Sequence, residues 1–163
     1  MKKAYNLLIS FALICLVASC ATKAQRTWVF DNESVLDSTQ IKQLHNLFNS
    51  HEIKTTNEIA LITTPNYGYD TSILFFAVNN FRRLGLGKKG INNGVLIVYC
   101  GAKREARIEN EYGTERILKD EMATRIIDSI MIPHFKKGET FEGLWQGSKA
   151  IVDFLERPEN KIK

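Results

Sequence analysis

The groups that could do chemistry gather in small polar loops around one apolar run. The stretch Asn92–Gly113, NNGVLIVYCGAKREARIENEYG, carries Asn92-Asn93-Gly94 ahead of the run. Cys100–Glu105 follows it and Glu111-Tyr112-Gly113 closes the stretch. Loops of this kind are where binding and catalytic groups concentrate. Arg82, Arg83, Lys88, Lys89 and Arg107 could supply positive charge to phosphoryl oxygens. The glycine-lysine segment Gly85-Leu86-Gly87-Lys88-Lys89-Gly90 is not a Walker loop. It closes a helical pattern and leads into a strand, and no Ser or Thr follows the lysine. His45, His51 and His134 are scattered, and no cysteine- or aspartyl-phosphatase motif accompanies them. Cys100, at the end of an apolar run, reads as a small buried hydrophobe rather than a nucleophile, because no neighbouring His or helix start would activate it.

The first 25 residues carry a different chemistry. Residues 1–19 read as a secretory leader, with a basic start at Lys2-Lys3 and an apolar core Leu7–Val17 too short for a stable membrane span. It ends in Val17-Ala18-Ser19-Cys20, which resembles a bacterial lipobox. The resemblance implies that Cys20 is lipidated on its sulfur and becomes the first residue of the mature chain. Residues 20–25 are then a short tether, with Ala21–Gln25 reaching under roughly 20 Å at about 3.5 Å per residue. The domain should sit close to the membrane surface and meet membrane-proximal partners. Losing Lys2 and Lys3 takes the 22 basic residues to 20 against 18 acidic ones. That balance is too weak to argue for nucleic acid.

A single domain over residues 26–157 must position these groups. Thr27–Phe30 reads as a short strand ended by Asp31-Asn32. Asp37 and Gln40 form a capping box, and Ile41, Leu44, Leu47 and Phe48 share one helical face, leaving His45 and His51 toward solvent. Glu58–Thr64 is an apolar strand. Asp70 is placed to cap a helix with Ile73, Phe76, Phe81 and Leu84 inward and Gly85 at its end. Val95–Tyr99 is a strand buried on both faces and Ala106–Glu109 a half-wetted one, joined as a hairpin. Asp120 is placed to cap a third helix, ended by Pro133. A fourth runs from Phe141 to Leu155, and residues 158–163 read as a frayed tail. This order predicts an α/β fold, a three-layer α/β/α sandwich whose mixed sheet has four or five strands and one β-hairpin.

A series of short marks resembles the TPM domain family, found in bacterial secreted or membrane-attached proteins and in the thylakoid lumen. They are Val29-Phe30-Asp31 with Leu36, Glu58-Ile59-Ala60-Leu61, Phe81-Arg82-Arg83-Leu84-Gly85-Leu86-Gly87, Asn93-Gly94-Val95-Leu96-Ile97, Arg107-Ile108-Glu109, Tyr112-Gly113-Thr114-Glu115 and Ile132–Gly138. Each is weak alone; their order and spacing over Trp28 to Leu155 are specific. The resemblance implies an acidic cleft beside the hairpin that takes a divalent cation, calcium or magnesium. It matches Asp31, Asn93 and Asp120 to that cleft, with Glu109, Glu111 and Tyr112 near it. Two positions depart from the family pattern: Leu84 stands where Trp is usual, and Glu111 where Gly is usual.

The expected function is that of a membrane-tethered, cation-binding accessory or interaction module acting on a membrane-protein complex. A metal-dependent, phosphatase-like hydrolase of phosphomonoesters is the alternative. The expected place is the bacterial cell envelope, anchored through Cys20. Ala21 lacks the Asp that signals inner-membrane retention in enteric bacteria, so the outer membrane facing the periplasm is preferred.

Overall fold

The computed structural model describes residues 26–162. The leader, Cys20 and the tether lie outside them. Strands β1 (Val29–Asp31), β2 (Glu58–Thr63), β3 (Gly94–Cys100) and β4 (Glu105–Asn110) form one sheet in the spatial order β1-β2-β3-β4. The first three are parallel and β4 runs antiparallel to β3, closing the expected hairpin. No fifth strand occurs among the described residues. All of β2 and β3 is buried, as unbroken apolar runs require. On β4 only Ile108 is fully buried.

Helices α1 (Ser38–Thr55) and α2 (Ile73–Leu84) connect the parallel strands. The chain after β4 forms α3 (Tyr112–Glu115), α4 (Asp120–Ile126), α5 (Ile132–Lys136) and α6 (Thr140–Leu155). Alternate residues of a strand face opposite sides of a sheet. A Cβ on Gly94 would lie 2.6 Å from Phe81 of α2, whereas Tyr99, five residues on, packs on Phe135 of α5 with ring centroids 4.6 Å apart. So α2 covers one face. The α4–α6 group covers the other, together with α1, which packs on α6. The three-layer sandwich follows.

Local chemistry explains most helix boundaries and corrects three expectations. The Asp37 carboxylate accepts the Gln40 N–H at 2.8 Å while the Gln40 side chain accepts the Asp37 N–H at 3.0 Å, the expected capping box. Helix α2 is capped by Ser72, not Asp70. Asp70 is held two residues too early by a turn onto Tyr67, and its carboxylate accepts instead from the Asn79 amide at 2.6 Å. Asp120 is the first residue of α4 and not its cap. Lys119 holds that position with no side-chain bond, and Asp120 acts only as a negative charge in the first turn. Pro133 does not end a helix. From α4 the chain passes through a π-helical turn, Ile127–Met131, where the Ile132 N–H bonds the Ile127 carbonyl five residues back. That wider turn relieves the clash and the missing donor that a proline imposes, and the helix stops only at Lys136, before Gly138 at φ +77°.

The histidines of α1 and the tail also differ from expectation. His51 is completely buried, because α6 packs over it. Its ring contacts Glu156 at 3.1 Å and Thr55 at 3.3 Å. Burial is the larger influence and lowers its pKa, with Glu156 opposing. His45 is half-buried, not solvated. Residues 158–160 form a 3-10 turn, anchored by the Asn160 amide donating to the Phe154 carbonyl at 2.8 Å.

Gly113 carries the closest backbone approach at the start of α3. A Cβ there would collide with the Ile91 carbonyl oxygen and lie 2.6 Å from that of Asn92. Backbone cannot yield as a side chain can. Gly113→Ala is expected to lower unfolding stability by about 1–3 kcal/mol, the usual cost of overpacking, read as a lower urea midpoint at unchanged slope.

Candidate functional site

The strand register defines two ends of the sheet. At the first, the carboxyl end of the parallel strands, Asp31 pairs with Thr63 and Thr63 with Tyr99. At the second, Glu58 pairs with Gly94, and Val95 with Asn110. The ends are about 17 Å apart along β2, at roughly 3.3 Å per residue. Asp31 lies at the first end and Asn93 just beyond the second. Ligands of one calcium ion sit about 2.3–2.6 Å from it, so these two residues cannot share a cation.

Asp31 and Asn93, and Glu109 near them in the expected cleft, are also engaged locally. The Asp31 carboxylate accepts the Val35 and Leu36 N–H groups at 3.2 and 2.9 Å and the Thr63 hydroxyl, which fixes the chain as it leaves β1. The buried Asn93 amide accepts the Lys88 N–H at 2.8 Å and donates to Asn57 at 3.1 Å and Thr56 at 3.3 Å. Asp120 is exposed and lines a shallow hollow of about 410 Å³ with Tyr112, Glu115, Arg116, Lys119 and Glu121. Glu109, on the edge strand, is tied to Arg107 at 2.6 and 2.7 Å. The structure thus brings Asn93, Glu111, Tyr112 and Asp120 to one end and leaves Asp31 at the other. No group of three or more His, Cys, Asp or Glu side chains among the described residues is arranged to hold a metal. The residues matched by resemblance do not fit a single hard-cation site.

Glu111 has a different role. Its side chain turns inward against Gly87, one carboxylate oxygen is buried without a hydrogen-bond partner, and its backbone N–H donates to the Gly94 carbonyl at 3.1 Å. Burial raises its pKa, and the nearby Glu58 charge adds to the rise. Glu58 is 1% exposed. It accepts the Gly87 N–H at 2.7 Å, Arg26 at 3.2 Å and the Lys88 ammonium, which also reaches Glu52 at 2.8 Å. Hydrogen bonds to Glu52 and Glu58 raise the pKa of Lys88, keeping it charged. The balancing cation of this acidic cluster is therefore the protein's own lysine. The sequence reading passes over Glu52, Glu58 and Lys88 as a group; the one signal present is a charge heading an apolar strand.

A cleft of about 860 Å³ opens at the carboxyl end of the strands, over the face covered by α5. Tyr99, Ile127, Ile132 and Phe135 give it an apolar wall, and Arg104, Glu105, Asp128 and Lys136 charge its lining. The β3–β4 turn at its mouth is clamped by Glu33, whose carboxylate accepts the Gly101 and Ala102 N–H groups, each at 2.9 Å. On the opposite face, the buried Tyr67 hydroxyl has its pKa raised by burial and by its neighbours Cys100 and Glu105. Periodicity could not indicate this cleft, because its residues come from α2, the hairpin, the π turn and α5.

A carboxyl pKa raised in the folded state contributes stability below the unfolded value, and that stability is lost as pH rises through the folded value. Glu111→Gln removes the charge. It is expected to raise the thermal midpoint at pH 7, with the gain shrinking as pH falls toward 4.5, the group's ordinary value. Parallel melting curves of the two proteins across this range check it.

The TPM domain family model matches residues 29–154. Among solved structures, the N-terminal domain of a P. gingivalis protein is similar at 31% identity, covering 82% of this chain and 85% of that one with a TM-score of 0.71. The BA42 protein of the psychrophilic bacterium Bizionia argentinensis is similar at 20% identity, covering 74% and 81%, TM-score 0.64. The N-terminal domain of the cg2496 protein from Corynebacterium glutamicum is similar at 8% identity, covering 83% and 84%, TM-score 0.63. The last two are likenesses of fold alone. No curated protein matches. With the family's marks laid in order over the whole sheet and both helical layers, the chain belongs to the TPM domain family.

Proposed function

We propose that this TPM domain is a lipid-tethered interaction module of the bacterial cell envelope that uses the cleft beyond Tyr99 to hold a partner protein. The cleft itself carries the reading. It lies at the carboxyl ends of the parallel strands, where open α/β sheets bind their ligands. It combines an apolar wall with charges of both signs, as a recognition pocket needs. The described chain begins at Arg26, beside Glu58, at the opposite end of the sheet. A tether entering there turns the cleft away from the membrane, toward the periplasmic part of a membrane complex.

The alternative, phosphomonoester hydrolysis, would need an activated nucleophile close to the cations that steady the phosphoryl group. In the cleft, Arg104 and Lys136 could supply charge. Asp31 instead spends its carboxylate on the turn after β1, and Asp120 lies at the other end. Cation binding by Asp31, Asn93 and Asp120 together is disfavoured by the same geometry.

A photo-cross-linking residue placed at Arg104 or Lys136 of the full chain is expected to capture one reproducible envelope protein, and one at Lys42 on α1 none. With the cross-linker at Arg104, Lys136→Glu should abolish that capture without changing the fold by circular dichroism, because Lys136 is exposed. Equal capture from all three positions would refute the cleft as the binding surface. Calorimetry with calcium and magnesium, and turnover of a chromogenic phosphate ester, test the rival reading. Asp31→Ala should cost about 1–2 kcal/mol of stability through lost backbone bonds, with no effect on cation affinity or turnover. A turnover abolished by Asp31→Ala and by Asp120→Ala alike would restore the hydrolase.

A further inference from the structure

The end of the domain opposite the cleft has its own surface chemistry. It is built from the C-terminal turns of α1 and α2, the loop 85–93 and the start of α3. Three large apolar side chains stand out there: Ile53, 77% exposed, Tyr112, 71%, and Ile91, 37%. Ile91 and Tyr112 belong to one small unit. The Ile91 N–H closes a turn onto the Lys88 carbonyl, Gly113 packs against the backbone of Ile91 and Asn92, and the Thr114 N–H bonds the Asn92 carbonyl at 3.2 Å. Buried groups on both sides hold this unit rigid, so exposure of its apolar tips is imposed by the fold.

Cations surround the tips. Arg82, Arg83 and Lys89 are exposed on the same loop and the helix turn before it, Lys54 follows Ile53 and pairs with Glu156 at 3.3 Å, Arg26 pairs with Glu58 at 3.2 Å, and Arg116 and Lys119 follow Tyr112. Between Asp70 and Glu105 the chain holds no carboxylate at all, so the loop carries its positive charge undiluted. On the side of Tyr112 toward α4 the charge is mixed: Glu115, Asp120 and Glu121 line one hollow with Arg116 and Lys119.

The geometry points to this end as a lipid-facing surface that rests on anionic phospholipid, with Ile91 and Tyr112 entering the headgroup layer. Two observations select that occupant. The described chain starts at this end, and only residues 21–25 separate Arg26 from Cys20, so a tether of under roughly 20 Å holds this end against the bilayer. The surface pairs a tyrosine and branched aliphatics with a basic rim, the composition that suits the membrane interface and its anionic headgroups. The orientation rests on the tether reading; the lipid contact does not. No described helix is long and apolar enough to cross a membrane, so the contact is peripheral.

The described residues hold the complete sheet and both helical layers, so residues 26–163 can be tested without the tether. This domain is expected to co-sediment with vesicles of phosphatidylglycerol and phosphatidylcholine, to release as salt is raised, and to ignore pure phosphatidylcholine. Ile91→Ser with Tyr112→Ser should weaken the binding about tenfold, roughly the transfer of one apolar side chain. Lys89→Ala and Arg116→Ala should each weaken it about fivefold, as expected of single basic residues near an anionic surface. All four positions are exposed, so folding should persist. Absence of binding to anionic vesicles, or binding untouched by these variants, overturns the proposal. So does a dimer in sedimentation equilibrium that Ile91→Ser and Tyr112→Ser dissolve, since the surface would then serve a second copy. The tether is read separately, by incorporation of labelled fatty acid at Cys20 of the full chain, so the two ideas fail independently.

Discussion

The buried carboxylate of Glu58 organises one end of this domain. It heads an apolar strand in a place with almost no water, and a charge there is costly unless fully paired. The chain meets that demand with groups from three directions. Gly87 gives a backbone N–H, Lys88 an ammonium shared with Glu52 at the end of α1, and Arg26 a guanidinium from the chain ahead of β1. Removing Lys88 would leave the buried Glu58 carboxylate without its nearest ammonium, which is costly even though the lysine itself is partly exposed. The loop 85–93 is fixed by the same bonds. So are the turn that carries Ile91 and the seat of Asn93, whose amide holds the Lys88 N–H.

That arrangement changes the meaning of the acidic residues nearby. Glu111 turns inward there and adds a second carboxylate close to Glu58. A site awaiting a metal ion would leave its carboxylates poorly paired. Here Lys88 already lies between Glu52 and Glu58, and only one oxygen of Glu111 is left without a partner. The cluster is a strut with a residual electrostatic strain, and its chemistry is consumed by holding the loop in place.

The two ends of the sheet therefore divide the work. One is closed by buried ion pairs and presents cations and apolar tips. The other is opened by the carboxyl ends of three parallel strands and by the π turn, and it presents a cleft. The π turn links the layers to that cleft. By admitting Pro133 without breaking the helix, it carries Ile127, Ile132 and Phe135 past the sheet edge as one wall. A proline that ended the helix there would have removed the wall.

The sequence by itself determined the order of the four strands and the longer helices, because each of these carries a local signal, whereas the short helix Tyr112–Glu115 and the π turn do not. Val95–Tyr99 is unbroken and β-branched, Asp37 and Gln40 are spaced as a capping box, and α2 and α6 keep one apolar face at helical period. It also carried the family marks, which are local strings in a fixed order. What only the tertiary structure decided is which polar residues meet. Asp31 and Asn93 each sit at the end of a strand, but one is the last residue of its strand and the other precedes its strand. Parallel pairing therefore sends them to opposite ends of the sheet. His51 looked like a surface residue of α1 until α6 covered it, and Glu58 found its partners in segments far along the chain. Local pattern reports the backbone's preference over a few residues, whereas a site depends on register and packing between segments that share no local signal.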